Sequence, residues 1–290
     1  MDKLQHYSQY IRERFPVAGA LSYSGGLFYA YYFYQSFVNR YDSGILYSLP
    51  GFFVVFLSLF HLRLLDDIKD YKKDKELHPQ RMLSQGLITK NNLRKLLLLV
   101  FVMEFIFSAF YGLKQIYFWL ALFLWSMLMS KEFFVAGWLN SRKRIYLASH
   151  QIIIPLLGFY AANIAGPTSY GSFSILIFSI AVLSLTLTYE LSRKMKMSDE
   201  ESYPVLWGVQ TTVFSAIAVA GIGNMILLFL FFLAGVNGFL YLAATGVFSL
   251  FCFAELSFFI HANDRRAKIV KISGALYMLA TFLLIIIAYQ

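Results

Sequence analysis

LYSLPGFFVVFLSLFHLRLL, residues 46–65, runs directly into DDIKDYKKD, residues 66–74. The first stretch is long enough to cross a hydrocarbon core about 30 Å thick as a helix. The second places Asp66, Asp67, Asp70 and Asp74 at its polar end, interleaved with Lys69, Lys72 and Lys73. On a helix Asp66, Asp70 and Asp74 fall at i, i+4 and i+8 and share one face. Carboxylates so close repel one another and are costly to desolvate at a membrane edge. As hard oxygen ligands they suit Mg²⁺, which is commonly held by one or two carboxylates together with substrate phosphates. The bland alternative is a solvated helix end whose lysines pair with the acids for a few tenths of a kcal/mol each. The chain has 16 acidic residues in all, so four in one regular run against an apolar segment favour a metal–diphosphate site at the mouth of a membrane bundle.

Composition agrees with that setting. The chain is 59% hydrophobic and 14% charged, against about 25% charged in a soluble domain. Its mean hydropathy is +0.60. The apolar runs are continuous rather than alternating, which excludes a transmembrane barrel. An all-α integral membrane protein follows, with nine spans expected near 17–38, 45–65, 92–112, 115–134, 145–165, 172–191, 205–225, 229–260 and 268–289. The seventh and eighth are hard to separate. Either Gly221-Ile222-Gly223-Asn224 or Gly235-Val236-Asn237-Gly238 fits a turn.

The basic residues test this arrangement independently. All of the 25 Lys and Arg except Arg40 and Lys114 fall before the first span or in the even-numbered loops. Positive residues stay on the cytoplasmic side, so the N-terminus and those loops are expected there, with Gln290 outside. Topology thus explains the net charge of +9 without any nucleic acid, and anionic lipid headgroups are the expected electrostatic partner. The first 16 residues are polar and the first span is too long for an h-region, so no cleavable signal peptide is expected. Tyr7, Tyr10, Ile11 and Phe15 suggest an amphipathic segment on the cytoplasmic surface. Cys252, the single cysteine, reads as a buried apolar residue.

Residues 1–290 read as one transmembrane domain, with 66–91 as a cytoplasmic site loop. A weak echo of the acidic run occurs four spans later, where the sixth span ends in Tyr189-Glu190-Leu191-Ser192-Arg193-Lys194. Equal orientation of helices four apart suits two parallel four-helix pseudo-repeats plus a ninth helix. If the two ends converge, carboxylates would bind metal while Arg193 and Lys194 bind phosphate oxygens. An ordinary interfacial cap is the competing reading for Glu190 to Lys194.

Arg63 lies inside the second span and is a phosphate-ligand candidate, although it could equally snorkel to the interface. Lys131, at the cytoplasmic end of the fourth span, either pairs with Glu132 or supplies a further diphosphate contact. Glu104 and Glu255 are mid-span acids that serve as a base near a cation or as hydrogen-bonded structural groups. His6, His61, His78, His150 and His261 show no metal-ligand spacing.

The DDIKDYKKD run resembles the Asn-Asp-x-x-Asp-x-x-x-Asp motif that follows the second of nine helices in the UbiA superfamily of intramembrane prenyltransferases, with Asp66 in place of the Asn. The stretch His78-Pro79-Gln80-Arg81-Met82-Leu83-Ser84-Gln85-Gly86-Leu87-Ile88-Thr89 is similar to the family's Arg-Pro-x-x-Ser-Gly-x-Ile/Val-Thr segment. The resemblance implies a bundle of nine helices around a central cavity, Mg²⁺ as cofactor, a prenyl diphosphate as substrate and a lipophilic acceptor. It implies catalytic roles for Asp66, Asp67, Asp70, Asp74 and Glu190, metal ligation by Asp66, Asp70, Asp74 and Glu190, and diphosphate contacts from Arg63, Arg81, Lys131, Arg193 and Lys194. The second half departs from the pattern. Where the family has Asp-x-x-x-Asp after the sixth helix, this chain has Glu190 and Lys194, with Asp199, Glu200 and Glu201 further on. That departure resembles a divergent branch that includes membrane-bound terpene cyclases. Three functions therefore compete: prenyl transfer to a lipophilic acceptor, intramolecular cyclisation of a prenyl diphosphate, and transport of an ion or lipid. Transport is disfavoured because the acids gather at one membrane face rather than at the midplane.

Overall fold

The computed structural model describes residues 3–41, 43–166 and 173–290. Among them every regular element is helical. The chain forms two compact units, residues 1–32 with 40–167, and residues 33–39 with 168–290. The first unit contains α1 (Lys3–Arg14), most of α2 (Val17–Asn39), α3 (Ile45–Lys69), α4 (Tyr71–Leu77), α5 (Lys90–Ala109) and α6 (Leu113–Ser130). A tight turn at Glu132–Phe134 follows, then α7 (Ala136–Asn140), α8 (Lys143–Gln151) and α9 (Ile153–Ile164). The second unit contains the last turns of α2 and α10 (Phe173–Arg193), α11 (Tyr203–Trp207), α12 (Val209–Ala234), α13 (Gly238–Ile260) and α14 (Asp264–Tyr289). Position 172, the expected start of the sixth span, and the Lys3 side chain lie outside the described residues.

Seven helical segments among the described residues are long and apolar enough to cross a bilayer: α3, α6, α8 with α9, α10, α12, α13 and α14. Helices also occupy the other two expected spans. α2 is less apolar because Tyr23, Tyr29, Tyr31, Tyr32 and Tyr34 stand where aliphatic residues would. α5 opens with Lys90, Arg94 and Lys95 and carries Glu104. Phe239, Leu242, Leu250 and Phe253 share one face of α13 and are 71–74% exposed. Soluble surfaces rarely carry such a contiguous apolar stripe, whereas acyl chains cover it without cost.

The boundary between the expected seventh and eighth spans needs correction. α12 continues through Gly221-Ile222-Gly223-Asn224 to Ala234, so residues 229–234 belong to it and not to the following helix. Gly223 serves packing: a Cβ there would lie 2.8 Å from Ser184 Cβ on α10. The turn is at Gly235, which caps α12 in the left-handed conformation at φ 65°. Asn237 then caps α13, its side chain accepting from Phe239 N at 2.9 Å. The expected fifth span is broken near Ile152, since Pro155 has no N–H for the Gln151 carbonyl.

Two features of the first unit position the site. Buried polar groups tie its helices together. Ser108 Oγ lies 3.0 Å from Tyr160 Oη, Gln115 Nε2 donates to the Tyr160 carbonyl at 2.9 Å, and Asn163 Nδ2 donates to Gln115 Oε1 at 2.6 Å. In an apolar medium the alternative is an unsatisfied polar group, so such bonds fix how α5, α6 and α9 meet. Nearer the acidic run, Tyr10 and Phe15 pack with Phe60, Leu64, Met82, Leu83, Ile88 and Leu93. The apolar face of α1 therefore docks on α3 and the 82–88 segment, rather than on the membrane surface as its pattern suggests. Protein atoms cover it: Tyr10 is fully buried and Phe15 is 7% exposed.

Candidate functional site

α3 delivers the acidic run out of the apolar layer. Asp70 breaks regular helix at φ −85°, ψ 5°, and α4 resumes at Tyr71. The hydrogen-bond ladder nevertheless continues. Asp70 N bonds Asp66 O, Asp74 N bonds Asp70 O and His78 N bonds Asp74 O, each at 2.8 Å. Asp66, Asp70 and Asp74 thus remain on one row, as their spacing predicts.

Their environments differ. Asp67, 2% exposed, is the hub of an ion cluster. It accepts from Tyr10 Oη at 2.7 Å, from Arg14 Nη2 at 2.6 Å and Nε at 3.1 Å, and from Arg63 Nη2 at 2.7 Å. Asp74 accepts from Arg81 Nη1 at 2.5 Å, and Arg14 Nη2 approaches it at 3.5 Å. Arg14 therefore bridges the second and fourth acids of the run. Burial and then Asp67 hold the Tyr10 hydroxyl well above its usual pKa, so it stays a donor. Burial opposes the Arg14 charge, but the bonds and charge of Asp67, with Asp74, outweigh it and raise the pKa. Partial burial lifts the Asp70 carboxyl above the ordinary range, with Lys69 opposing and Asp74 adding.

Asp66 and Asp70 are the exposed members of the run. Lys69 Nζ lies 3.8 Å from Asp66 Oδ1 and 3.8 Å from Glu132 Oε1, so one ammonium serves carboxylates from two elements. Glu132 also accepts from Asn140 Nδ2 at 3.2 Å. Pairing with Lys131 is one of the two sequence readings; Lys69 and Asn140 engage the Glu132 carboxylate instead, and Lys131 caps α6 with an exposed side chain. Glu132, Phe133 and Phe134 all take positive φ, 48°, 53° and 60°. Such a run of non-glycine residues is strained by roughly 1–2 kcal/mol per residue. Among the described residues no three His, Cys, Asp or Glu side chains converge as a metal site. Basic partners engage Asp66, Asp67, Asp74 and Glu132 instead, with Arg14 and Lys69 each shared between two carboxylates.

The segment after the acids is anchored as well. Ser84 Oγ donates to the Asp74 carbonyl at 3.3 Å, and Met82 N donates to Glu13 Oε2 at 3.3 Å. Thr89 and Asn92 form a capping box at the start of α5, and Asn92 Nδ2 donates to Tyr7 Oη at 3.1 Å. In the second unit Glu190 binds Arg193 in a fork, with Nη2 at 2.6 Å from Oε2 and 2.9 Å from Oε1, and Lys194 Nζ is 3.8 Å away. Lys194 also lies over the Tyr203 ring at 5.2 Å. Asp199 caps a local turn by accepting from Glu201 N at 3.0 Å.

Sequence reasoning did not place Tyr10, Arg14 or Glu132 in the acid cluster. Tyr10 and Arg14 are one helical turn apart on α1, and that i, i+4 spacing was the available signal. It also missed a pairing deep in the first unit, where His61 meets Glu104.

Residues 21–286 match the sequence profile of the UbiA prenyltransferase family. No curated protein matches the chain by sequence. Among solved structures, a digeranylgeranylglyceryl phosphate synthase superposes with a TM-score of 0.70 at 18% identity, covering 98% of this chain and 99% of that one. A UbiA homolog from Archaeoglobus fulgidus bound to DMAPP and Mg²⁺ gives 0.58 at 14% identity, covering 95% and 98%. The same homolog bound to GPP and Mg²⁺ gives 0.58 at 14%, covering 95% and 99%. These likenesses show a common fold, and the profile match extends over most of the length: the chain belongs to the UbiA prenyltransferase family.

Proposed function

We propose that this protein is a membrane-embedded, Mg²⁺-dependent enzyme that ionises a prenyl diphosphate and transfers the prenyl group to a lipophilic acceptor. The observation that carries the reading is the ordered acid–guanidinium cluster at the end of α3, at the place of the family's aspartate motif. The prenyl diphosphates and Mg²⁺ bound by the A. fulgidus homolog support it.

Asp66, Asp70 and Asp74 fit a hard divalent ion: they offer carboxylate oxygens on one row, and Lys69 already sets a cation against Asp66. When bound, Mg²⁺ neutralises charge on the departing diphosphate. Arg63 and Arg81 sit in the same network and are assigned to phosphate oxygens, as is Lys131. Asp67 holds Arg14 and Arg63 in place, so its catalytic role is orientation. Glu190, Arg193 and Lys194 are assigned metal and diphosphate roles from their sequence position. The apolar interior keeps water from the allylic cation once the C–O bond breaks.

All nine long helical segments, α2 and α5 included, are taken to cross the bilayer as two four-helix pseudo-repeats plus a ninth. The N-terminus and the mouth of the site are cytoplasmic, and Gln290 is outside. Cyclisation is the second reading. It is favoured by Glu190 being engaged by Arg193 and Lys194 where the family pattern has two aspartates. The deciding experiment incubates purified full-length protein with geranyl, farnesyl or geranylgeranyl diphosphate and Mg²⁺, with and without hydroxylated lipid acceptors. Prenylated acceptor supports transfer, and hydrocarbons formed without acceptor support cyclisation. No diphosphate release with any substrate rejects both.

A further inference from the structure

His61 is 1% exposed on α3, two helical turns inward from the acidic run. Its Nδ1 lies 2.7 Å from Glu104 Oε1 on α5. Trp119 Nε1, on α6, donates to Glu104 Oε2 at 3.1 Å. Glu104 is likewise 1% exposed. Both its oxygens accept, so the hydrogen-bond network places the imidazole proton on Nδ1. His61 Nε2 is buried and has no hydrogen-bond partner. Aromatic rings dry the surroundings: Phe101 lies 5.1 Å from the imidazole, and Phe123 packs between Phe101 and Trp119 at 4.9 and 5.6 Å.

Cross-linking three helices explains the Nδ1–Glu104–Trp119 bonds. It does not explain Nε2, since leaving a buried polar atom unpaired costs about 1–3 kcal/mol. A histidine held through Nδ1 by a carboxylate, with Nε2 buried and unpaired, can take up a proton at that atom.

We propose that His61 Nε2 is the general base that takes the proton from the prenyl acceptor, with Glu104 as its positioning residue. The inference rests on the transfer reading above and names the acceptor class: a lipid that gives up a proton when prenylated, through a hydroxyl or an aromatic C–H. In the step, the C1–O pair leaves with the diphosphate. The acceptor's electron pair forms the new bond to C1, and the acceptor's proton passes to Nε2. The product is an imidazolium that keeps its Nδ1 hydrogen bond to Glu104. His61 precedes Asp67 by six residues, about 9 Å along a helix at 1.5 Å per residue. That depth lies on the apolar side of the acids assigned to the metal and diphosphate.

Glu104 on α5 is the titratable group hydrogen-bonded to the imidazole, and Arg63 and Asp67 follow His61 on α3 at i+2 and i+6. α6 contributes the Trp119 indole. The test uses full-length protein in nanodiscs, with geranyl diphosphate, Mg²⁺ and a hydroxylated lipid acceptor. Prenyl-diphosphate affinity, melting temperature and the pH profile of acceptor-dependent turnover are read together. His61→Gln is expected to lower turnover by about a hundredfold or more and to abolish the acidic limb of the profile. Affinity and melting temperature should stay near those of wild type. Glu104→Gln, which keeps the side-chain shape, should lower acceptor-dependent kcat by about tenfold while leaving prenyl-diphosphate affinity near that of wild type, and Glu104→Asp should restore part of the loss. Turnover in His61→Gln within about threefold of wild type, or an unchanged kcat in Glu104→Gln, overturns the assignment while leaving the transfer reading intact. If wild type itself neither binds nor consumes the diphosphate, the transfer reading falls and the base falls with it.

Discussion

The Arg14 guanidinium grips both oxygens of Asp67 across 53 residues of sequence, with Nη2 2.6 Å from Oδ1 and Nε 3.1 Å from Oδ2. A helix outside the apolar spans is thereby locked to the second acid of the motif. Arg14→Ala leaves a carboxylate that is 2% exposed without its main partner. Loss of one member of a buried pair costs about 3 kcal/mol or more. The variant should melt lower in detergent and bind prenyl diphosphate more weakly. Arg14→Lys should recover little, since an ammonium cannot reproduce the fork. An unchanged melting temperature in Arg14→Ala would show that α1 is held by packing alone.

The exposed and buried acids should separate on mutation. Asp66→Ala, Asp70→Ala and Asp74→Ala are expected to lose most turnover while the protein remains folded. Asp67→Ala should lose stability as well, by a few kcal/mol, because three donors lose their common acceptor. Turnover measured at limiting Mg²⁺, beside a melting curve for each variant, gives the comparison. Full activity in Asp70→Ala would remove it from the metal site.

Lys194 should respond to the sign of the replacing charge. Lys194→Gln is expected chiefly to raise KM for the diphosphate. Lys194→Asp places a second acid beside Glu190, now partnered by Arg193 alone, and should lose activity although it restores the family's pattern in form. Higher activity with steeper Mg²⁺ dependence in Lys194→Asp would show that the position belongs to an ordinary two-motif site.

Topology has its own readout. Reporter fusions after residues 80, 142, 196 and 266 should be cytoplasmic, and a fusion after residue 290 should lie outside. A cytoplasmic C-terminal reporter would leave an even number of crossings and exclude α2 or α5 as a span.

Local chemistry made the fold and the acidic end of α3 legible. A continuous apolar run, the i, i+4, i+8 aspartates and the segregation of lysine and arginine are each readable within a short window. Pairings that fold brings together were not. Arg14–Asp67 and His61–Glu104 join residues 53 and 43 apart, and nothing in either neighbourhood marks its partner. The two glycine breaks were equivalent on paper for a similar reason. Gly235 needs its left-handed φ, whereas Gly223 needs the closeness of Ser184, and both demands come from tertiary structure. Asp67 reads from the motif as one more catalytic acid, and its burial among Tyr10, Arg14 and Arg63 could not be read from the motif because two of those partners lie on α1.

Around the motif, Arg14, Arg63, Lys69 and Arg81 engage Asp66, Asp67 and Asp74, and Lys69 also reaches Glu132. A lone divalent cation or a lone polyanion therefore meets groups that already have partners of opposite charge. Either one entering by itself must displace an existing partner and strand a charge. Entering together, the cation takes the carboxylates while the phosphates take the released guanidinium and ammonium groups. Metal and diphosphate affinities are then thermodynamically linked, each strengthening the other by the same factor.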